Sequence, residues 1–167
     1  DVYDNAMFLI ALDYLLEMGP DSPQAPRWRS LREGIAKNVR THLWDEKRQK
    51  FIPHIYPEKS PIPEGFDELA IHYHGGTAVA IEAGLLTEDE IRTVNAQMLE
   101  NVRLSGMSSI GLTLYPVYPD GFFHGGMSKA YLYQNGGDWT WFGGRMIQQL
   151  VVNGMVEEAY AEIHPMI

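Results

Sequence analysis

The sequence predicts an all-α fold: helical hairpins standing side by side, inner and outer helices alternating, as in an α/α toroid. Three observations carry this. Helical stretches that are apolar or rich in small residues alternate along the chain with stretches that are amphipathic. Links after the first, third and fifth helices are short, whereas those after the second and fourth are long and decorated. All the long links therefore fall at one end, where the inner helices begin. About three hairpins are expected, half of a ring of six, although no internal repeat aligns.

The first helix, about residues 3–18, carries Ala6, Phe8, Leu9, Ile10, Leu12, Tyr14, Leu15 and Leu16. It is apolar almost all round, which predicts burial on most sides, and Gly19-Pro20 stops it. Pro26 suits the first turn of the second helix, about 26–44. There Leu31, Ile35, Val39 and Leu43 recur at i, i+4 spacing against Arg27, Arg32, Lys37 and Arg40, the mark of an outer helix. Residues 45–66 are irregular: Phe51-Ile52 reads as extended, and Pro53, Pro57, Pro61 and Pro63 forbid a helix.

A third helix is expected over 67–83, containing Ile71-His72-Tyr73-His74-Gly75-Gly76, small enough there for another helix to approach closely. Gly84 ends it. Thr87-Glu88-Asp89-Glu90 is a capping box opening an amphipathic fourth helix, about 88–102. Residues 103–137 form a long connection, of a length uncommon in compact domains unless it carries function. The fifth helix follows over 139–152, with Asp138 as its expected N-cap. After an Asn153-Gly154 turn the last helix, about 155–163, places Glu157, Glu158 and Glu162 on its polar side.

The chain has 167 residues, 45% hydrophobic and 21% charged, enough for one globular domain with its own core. Its net charge of -9 argues against a nucleic-acid partner, whose phosphates call for clustered Lys and Arg. Without cysteine there is neither disulfide nor thiolate chemistry. No apolar run is long enough to span a membrane, so no membrane partner is expected, and no basic-then-apolar leader is visible. The chain starts almost inside a helix and ends without a clear stop. That abruptness predicts the remainder of a longer chain, or a homo-oligomer, covering exposed inner-helix edges.

Residues 131–144, Y-L-Y-Q-N-G-G-D-W-T-W-F-G-G, concentrate aromatic rings, amides and an acid at the mouth of the fifth helix. Flat rings of Tyr133, Trp139 and Trp141 beside the amides of Gln134 and Asn135 suit a sugar, which offers C–H faces to stack on and hydroxyls to bind. Candidate carboxyls at the inner-helix starts are Asp4, Asp67 or Glu68, and Asp138, with Asp120 on the long link. Each also reads as a simple helix cap or loop residue.

Tyr133-Gln134-Asn135-Gly136-Gly137-Asp138-Trp139 resembles the Y-x-N-G-x-x-W motif of six-hairpin (α/α)6 glycosidases, among them neutral invertases and glycogen-debranching glucosidases. Tyr3-Asp4-Asn5-Ala6 resembles the Asp-Asn segment opening an inner helix in some members. Leu43-Trp44-Asp45-Glu46, followed by Phe51, resembles an outer-helix ending. The resemblance implies the C-terminal half of the ring and an inverting glycoside hydrolase acting on an oligo- or polysaccharide with two carboxyl groups. Asp4 and Asp138 are then the catalytic candidates. Asn5, Asp67, Glu68, His74, His124, Tyr133, Gln134, Asn135, Trp139 and Trp141 are the substrate-binding ones. One departure stands out: invertase-like members carry a glutamate base shortly before the motif, and no Glu lies between Glu100 and Glu157 here.

Two alternatives remain open. A toroidal polysaccharide lyase or sugar epimerase would use Tyr133, His124, His74 and Asn135 in place of two carboxyls; a non-catalytic helical scaffold would bind without turnover. No metal or other cofactor is expected, because H-x-H at His72 and His74 does not put both rings on one helix side and His124 adds no recognised spacing.

Overall fold

The computed structural model describes residues 1–123 and 129–167, and its described part is mostly helical. Helix α1 spans Val2–Met18, with Asp1 as N-cap accepting the Asp4 N–H at 3.1 Å. Helix α2 spans Ala25–Leu43, Pro26 lying in its first turn. It runs into a short hairpin of β1, Trp44–Asp45, and β2, Lys50–Phe51, paired Trp44 to Phe51. Asp45 closes that turn by accepting the N–H groups of Lys47 and Arg48 at 3.0 and 2.9 Å. A 3-10 turn, Glu68–Ala70, leads into β3, His72–Tyr73, and helix α3, His74–Glu82. Helix α4 spans Glu88–Ser105, opened by the predicted capping box and ended by Gly106 at φ 71°. Strand β4, Leu114–Tyr115, lies in the long link; helices α5, Thr140–Val152, and α6, Val156–Ile163, follow, then a 3-10 turn His164–Met166.

α3 lies between α1 and α5, while α2 packs on α1, α4 on α3 and α6 on α5. The three hairpins expected from the sequence thus appear as three helix pairs, α1 with α2, α3 with α4 and α5 with α6. Ion pairs clip neighbouring helices together. Arg32 of α2 holds Asp13 of α1 and also donates to the Ala83 carbonyl at 3.2 Å. Arg40 of α2 reaches Glu90 of α4 at 2.6 Å, and Arg145 of α5 reaches Glu82 of α3 at 2.5 Å. The main core, including Leu9, Val79, Ile91, Met146 and Leu150, fills the space between these helices.

Close approach of α1, α3 and α5 depends on the start of α3. A Cβ on Gly75 would stand 2.5 Å from the Phe142 ring of α5, and one on Gly76 would stand 2.8 Å from Val2 of α1.

Three expectations are corrected. The third helix does not begin at 67: residues 72–73 pair antiparallel with 115–114, so β pairing takes the backbone that a helix would have used. Consequently Asp67 and Glu68 open the 3-10 turn and not α3; Asp67 is exposed and its side chain caps nothing. α1 is not buried on most sides. It packs chiefly against α2 and α3, which leaves Phe8 50% and Met18 77% exposed. Finally, the N-cap of α5 is Trp139, not Asp138.

Gly75→Ala should destabilise the fold by about 1–3 kcal/mol through overpacking. Gly144→Ala, in α5 with open space around its Cβ site, should stabilise it by about 0.5–1 kcal/mol. Urea denaturation of the two variants measures both signs.

Candidate functional site

The long link is built onto the α3 start by a short backbone ladder. Thr113 N–H donates to the Gly137 carbonyl at 3.0 Å and Trp139 N–H to the Gly111 carbonyl at 2.8 Å, while His74 N–H donates back to the Thr113 carbonyl at 3.0 Å. Residues 111–115 therefore lie between the α3 start and the aromatic motif, holding the motif beside the inner helices. Gly111 and Gly137 allow this because a side chain on either would meet backbone.

Between the starts of α1, α3 and α5 lies a pocket of about 280 Å³. α1 contributes Tyr3 and Asp4 (with Asp1 just before it), α3 contributes Gly75 and Gly76 after Tyr73 of β3, and α5 contributes Phe142. Thr113 and Gln134 of the long link complete it. Three aromatic rings thus surround a space floored by two glycines and rimmed by carboxylates and an amide. That combination stacks on apolar faces and hydrogen-bonds hydroxyls.

Of the predicted residues, Asp4 and Gln134 line this pocket. Others have different duties. Asn135 is 2% exposed and spends both ends of its amide on Tyr118, accepting from its N–H at 2.8 Å and donating to its carbonyl at 3.1 Å. Asp138 accepts from Ser109 twice, from the backbone N–H at 2.9 Å and the hydroxyl at 2.6 Å, so it ties the two ends of the long link together. Asn5 donates to the Asp1 carbonyl at 2.7 Å. His74 is buried against Asn101 of α4, Nε2 to Nδ2 3.1 Å, and its burial pushes its pKa down to about 3.

Tyr133 packs edge-on to Trp139 at 5.0 Å between centroids. Trp141 is half-exposed, with the Arg145 guanidinium 4.7 Å over its ring. Tyr131 and Tyr133 have φ of 61° and 51°, a left-handed backbone that L-residues avoid, so the aromatic loop is held in a costly shape by the contacts around it. Asp120 is exposed and accepts the Ala130 N–H at 2.7 Å. His124 lies outside the described residues.

Glu68 sits beside the pocket rather than in it. Its Oε1 accepts from the Tyr56 and Tyr118 hydroxyls at 2.7 Å each and pairs with His54 Nδ1 at 2.8 Å. Burial works against the charge, but the bonds from Tyr118, His54 and Tyr56 outweigh it and hold the carboxyl below its ordinary value. Tyr118 also neighbours Tyr73, whose ring lines the pocket and whose own hydroxyl is raised by burial. One buried carboxylate thus joins the proline-rich link to the aromatic one, over a small second core of Ile71, Leu114 and Tyr118. Among the described residues no group of three His, Cys, Asp or Glu gathers in metal-binding geometry.

Tyr3, Tyr73 and Phe142 were missed by the sequence reading. Each directly adjoins a residue that was singled out: Asp4, His74 and Trp141. No protein-family model, curated protein or solved structure matches this chain.

Stability should fall with acid. Glu68 titrates lower folded than unfolded, so its contribution is present above the unfolded carboxylate value and lost as pH drops through the folded one. Burial leaves His72 and His74 neutral down to about 4 and 3, so only the unfolded chain takes up their protons below its histidine value. Both effects have the same sign. Between pH 7 and pH 5 the melting temperature should drop by roughly 5 °C or more, and His74→Gln should flatten that slope in scanning calorimetry.

Proposed function

We propose that this chain is a sugar-binding half of a six-hairpin α/α toroid and that its ring is a glycoside hydrolase. The observation that carries the reading is the pocket where three inner helices begin, which unites Asp4 and Gln134 with the rings of Tyr3, Tyr73 and Phe142. Closure of a ring would also cover the apolar residues left exposed on α1 and on α6, such as Phe8, Tyr160 and Ile163.

Hydrolysis with inversion needs one carboxyl to protonate the leaving glycosidic oxygen and a second, about 6.5–9.5 Å away, to activate water. Asp4 takes the acid role. It stands exposed on the pocket wall, and its carboxylate is free of any ion pair among the described residues. Asp138 takes a positioning role, since its oxygens are committed to Ser109. The base then comes from another part of the completed ring. Gln134 binds a sugar hydroxyl, and Tyr3, Tyr73 and Phe142 supply stacking faces.

A second reading has one observation in its favour: Tyr73 lines the pocket with His54 edge-on at 5.7 Å, the residue types a lyase or epimerase would use. Burial raises the Tyr73 hydroxyl, however, and a phenol shifted that way is a poor base at neutral pH. The hydrolase reading is therefore preferred.

Incubation of the completed ring with α- and β-linked oligosaccharides, followed by NMR of the anomeric protons, tests it. A new reducing-end signal should appear and fall by about 10²–10⁴-fold in Asp4→Asn. An unsaturated or epimerised product would transfer the site to the second reading. No product from any member of the panel would contradict both.

A further inference from the structure

A second concave site lies on the other side of β3. Successive strand side chains point to opposite faces, so Tyr73 faces the pocket described above while His72 faces away. On that side β2, β3 and α4 border an open groove of about 880 Å³, within the size range of small-molecule sites. Arg48, Lys50, His72, Arg92, Gln97 and Glu100 line it. It shares no lining residue with the smaller pocket.

The charges in the groove are unequally satisfied. Arg48 pairs with Asp45 at 2.8 Å, Arg92 with Glu88 at 2.5 Å and Glu158 at 3.6 Å, and Glu100 with Arg103 at 2.5 Å. Lys50 is different. It is 3% exposed, and among the described residues its ammonium bonds to the Ile71 carbonyl and to no carboxylate. An ammonium with three donors and one neutral acceptor is under-satisfied; Asp45 and Asp67 favour its charge from nearby, but neither bonds to it. Burial, with Arg48 adding to it, lowers the Lys50 pKa to about 8, so the group still carries its charge at neutral pH. Beside it His72 is held neutral by burial, able to serve a hydroxyl rather than compete for an anion.

We propose that this groove binds a small molecule through an oxyanion, a phosphate or carboxylate group seated on Lys50, with Arg48 and Arg92 at the rim. Such an anion gives the ammonium its missing counter-charge through charge-assisted hydrogen bonds, and the rim arginines retain donors to share. His72 and Gln97 then face the polar remainder of the ligand. The site is independent of the hydrolase reading, and neither result bears on the other.

Inorganic phosphate, sodium glucuronate and glucose, each titrated at pH 7 into the ¹⁵N-labelled chain, test the proposal by amide shifts. Phosphate or glucuronate should saturate with a Kd of about millimolar strength, moving amides of 48–50, 72 and 92–101, while glucose leaves them still. Saturation by phosphate alone identifies a phosphate site; saturation by glucuronate identifies a carboxylate one. Lys50→Met should weaken binding by about tenfold or more. Should that variant fail to fold, Arg48→Gln/Arg92→Gln, confined to the exposed rim, should still weaken it by about threefold. No saturable shift with either anion, equal response to glucose, or undiminished binding in the folded variants would overturn the proposal.

Discussion

The absence of side chains at Gly75 and Gly76 is the constraint on which the rest of this molecule depends. With nothing beyond Cα there, Val2 of α1 and Phe142 of α5 both close onto the first turn of α3. Three helix starts then converge within the width of a small ligand. A larger residue at Gly75 would push α5 outward, and one at Gly76 would push α1, opening the pocket into a shallower face. Packing, rather than any catalytic group, therefore creates the concavity, and the polar residues at its rim acquire meaning only because the helices meet.

A second layer of constraint holds the long links over that convergence. Such links have no helix or extended sheet to satisfy their polar groups, and a small set of side chains does the work instead. Asn135 substitutes for a strand by exchanging two hydrogen bonds with the Tyr118 backbone. Asp138 gathers Ser109. Glu68 collects two phenols and an imidazole, joining segments that lie 50 positions apart in the case of Tyr118. Much of the motif's polarity is thus spent on shape, leaving Gln134, Asp4 and the rings to meet a ligand. Where those links cross β3, its two faces serve different spaces, an aromatic one and a cationic one.

Much of the helical frame was legible in the sequence because its signals are local. Pro26, the Thr87–Glu90 capping box and the i, i+4 stripe of α2 each act within a turn or two of chain. What escaped depends on distant partners. Ile71-His72-Tyr73 reads as the inside of a helix until Leu114 and Tyr115 are known to lie beside it. Asp138 has the position and chemistry of a cap, yet Ser109, 29 residues earlier, claims it first. The cluster of His54, Tyr56, Glu68 and Tyr118 arises from proline-rich and glycine-rich stretches that have no periodicity to betray it. Asp4 and Gln134 were found because each lies within a short motif at a helix start; Tyr73 had no such label.

The central claim is that the convergence of α1, α3 and α5 forms a pocket for a neutral sugar ring. Saturation-transfer difference NMR with a panel of monosaccharides, combined with amide shifts of the labelled chain, addresses it most directly. The account predicts transfer to the C–H face of at least one sugar, with shifts confined to Tyr3, Asp4, 73–76, Thr113 and Gln134. Transfer with shifts centred elsewhere, or no transfer from any sugar while Gly75 and Gly76 remain packed as described, would contradict it.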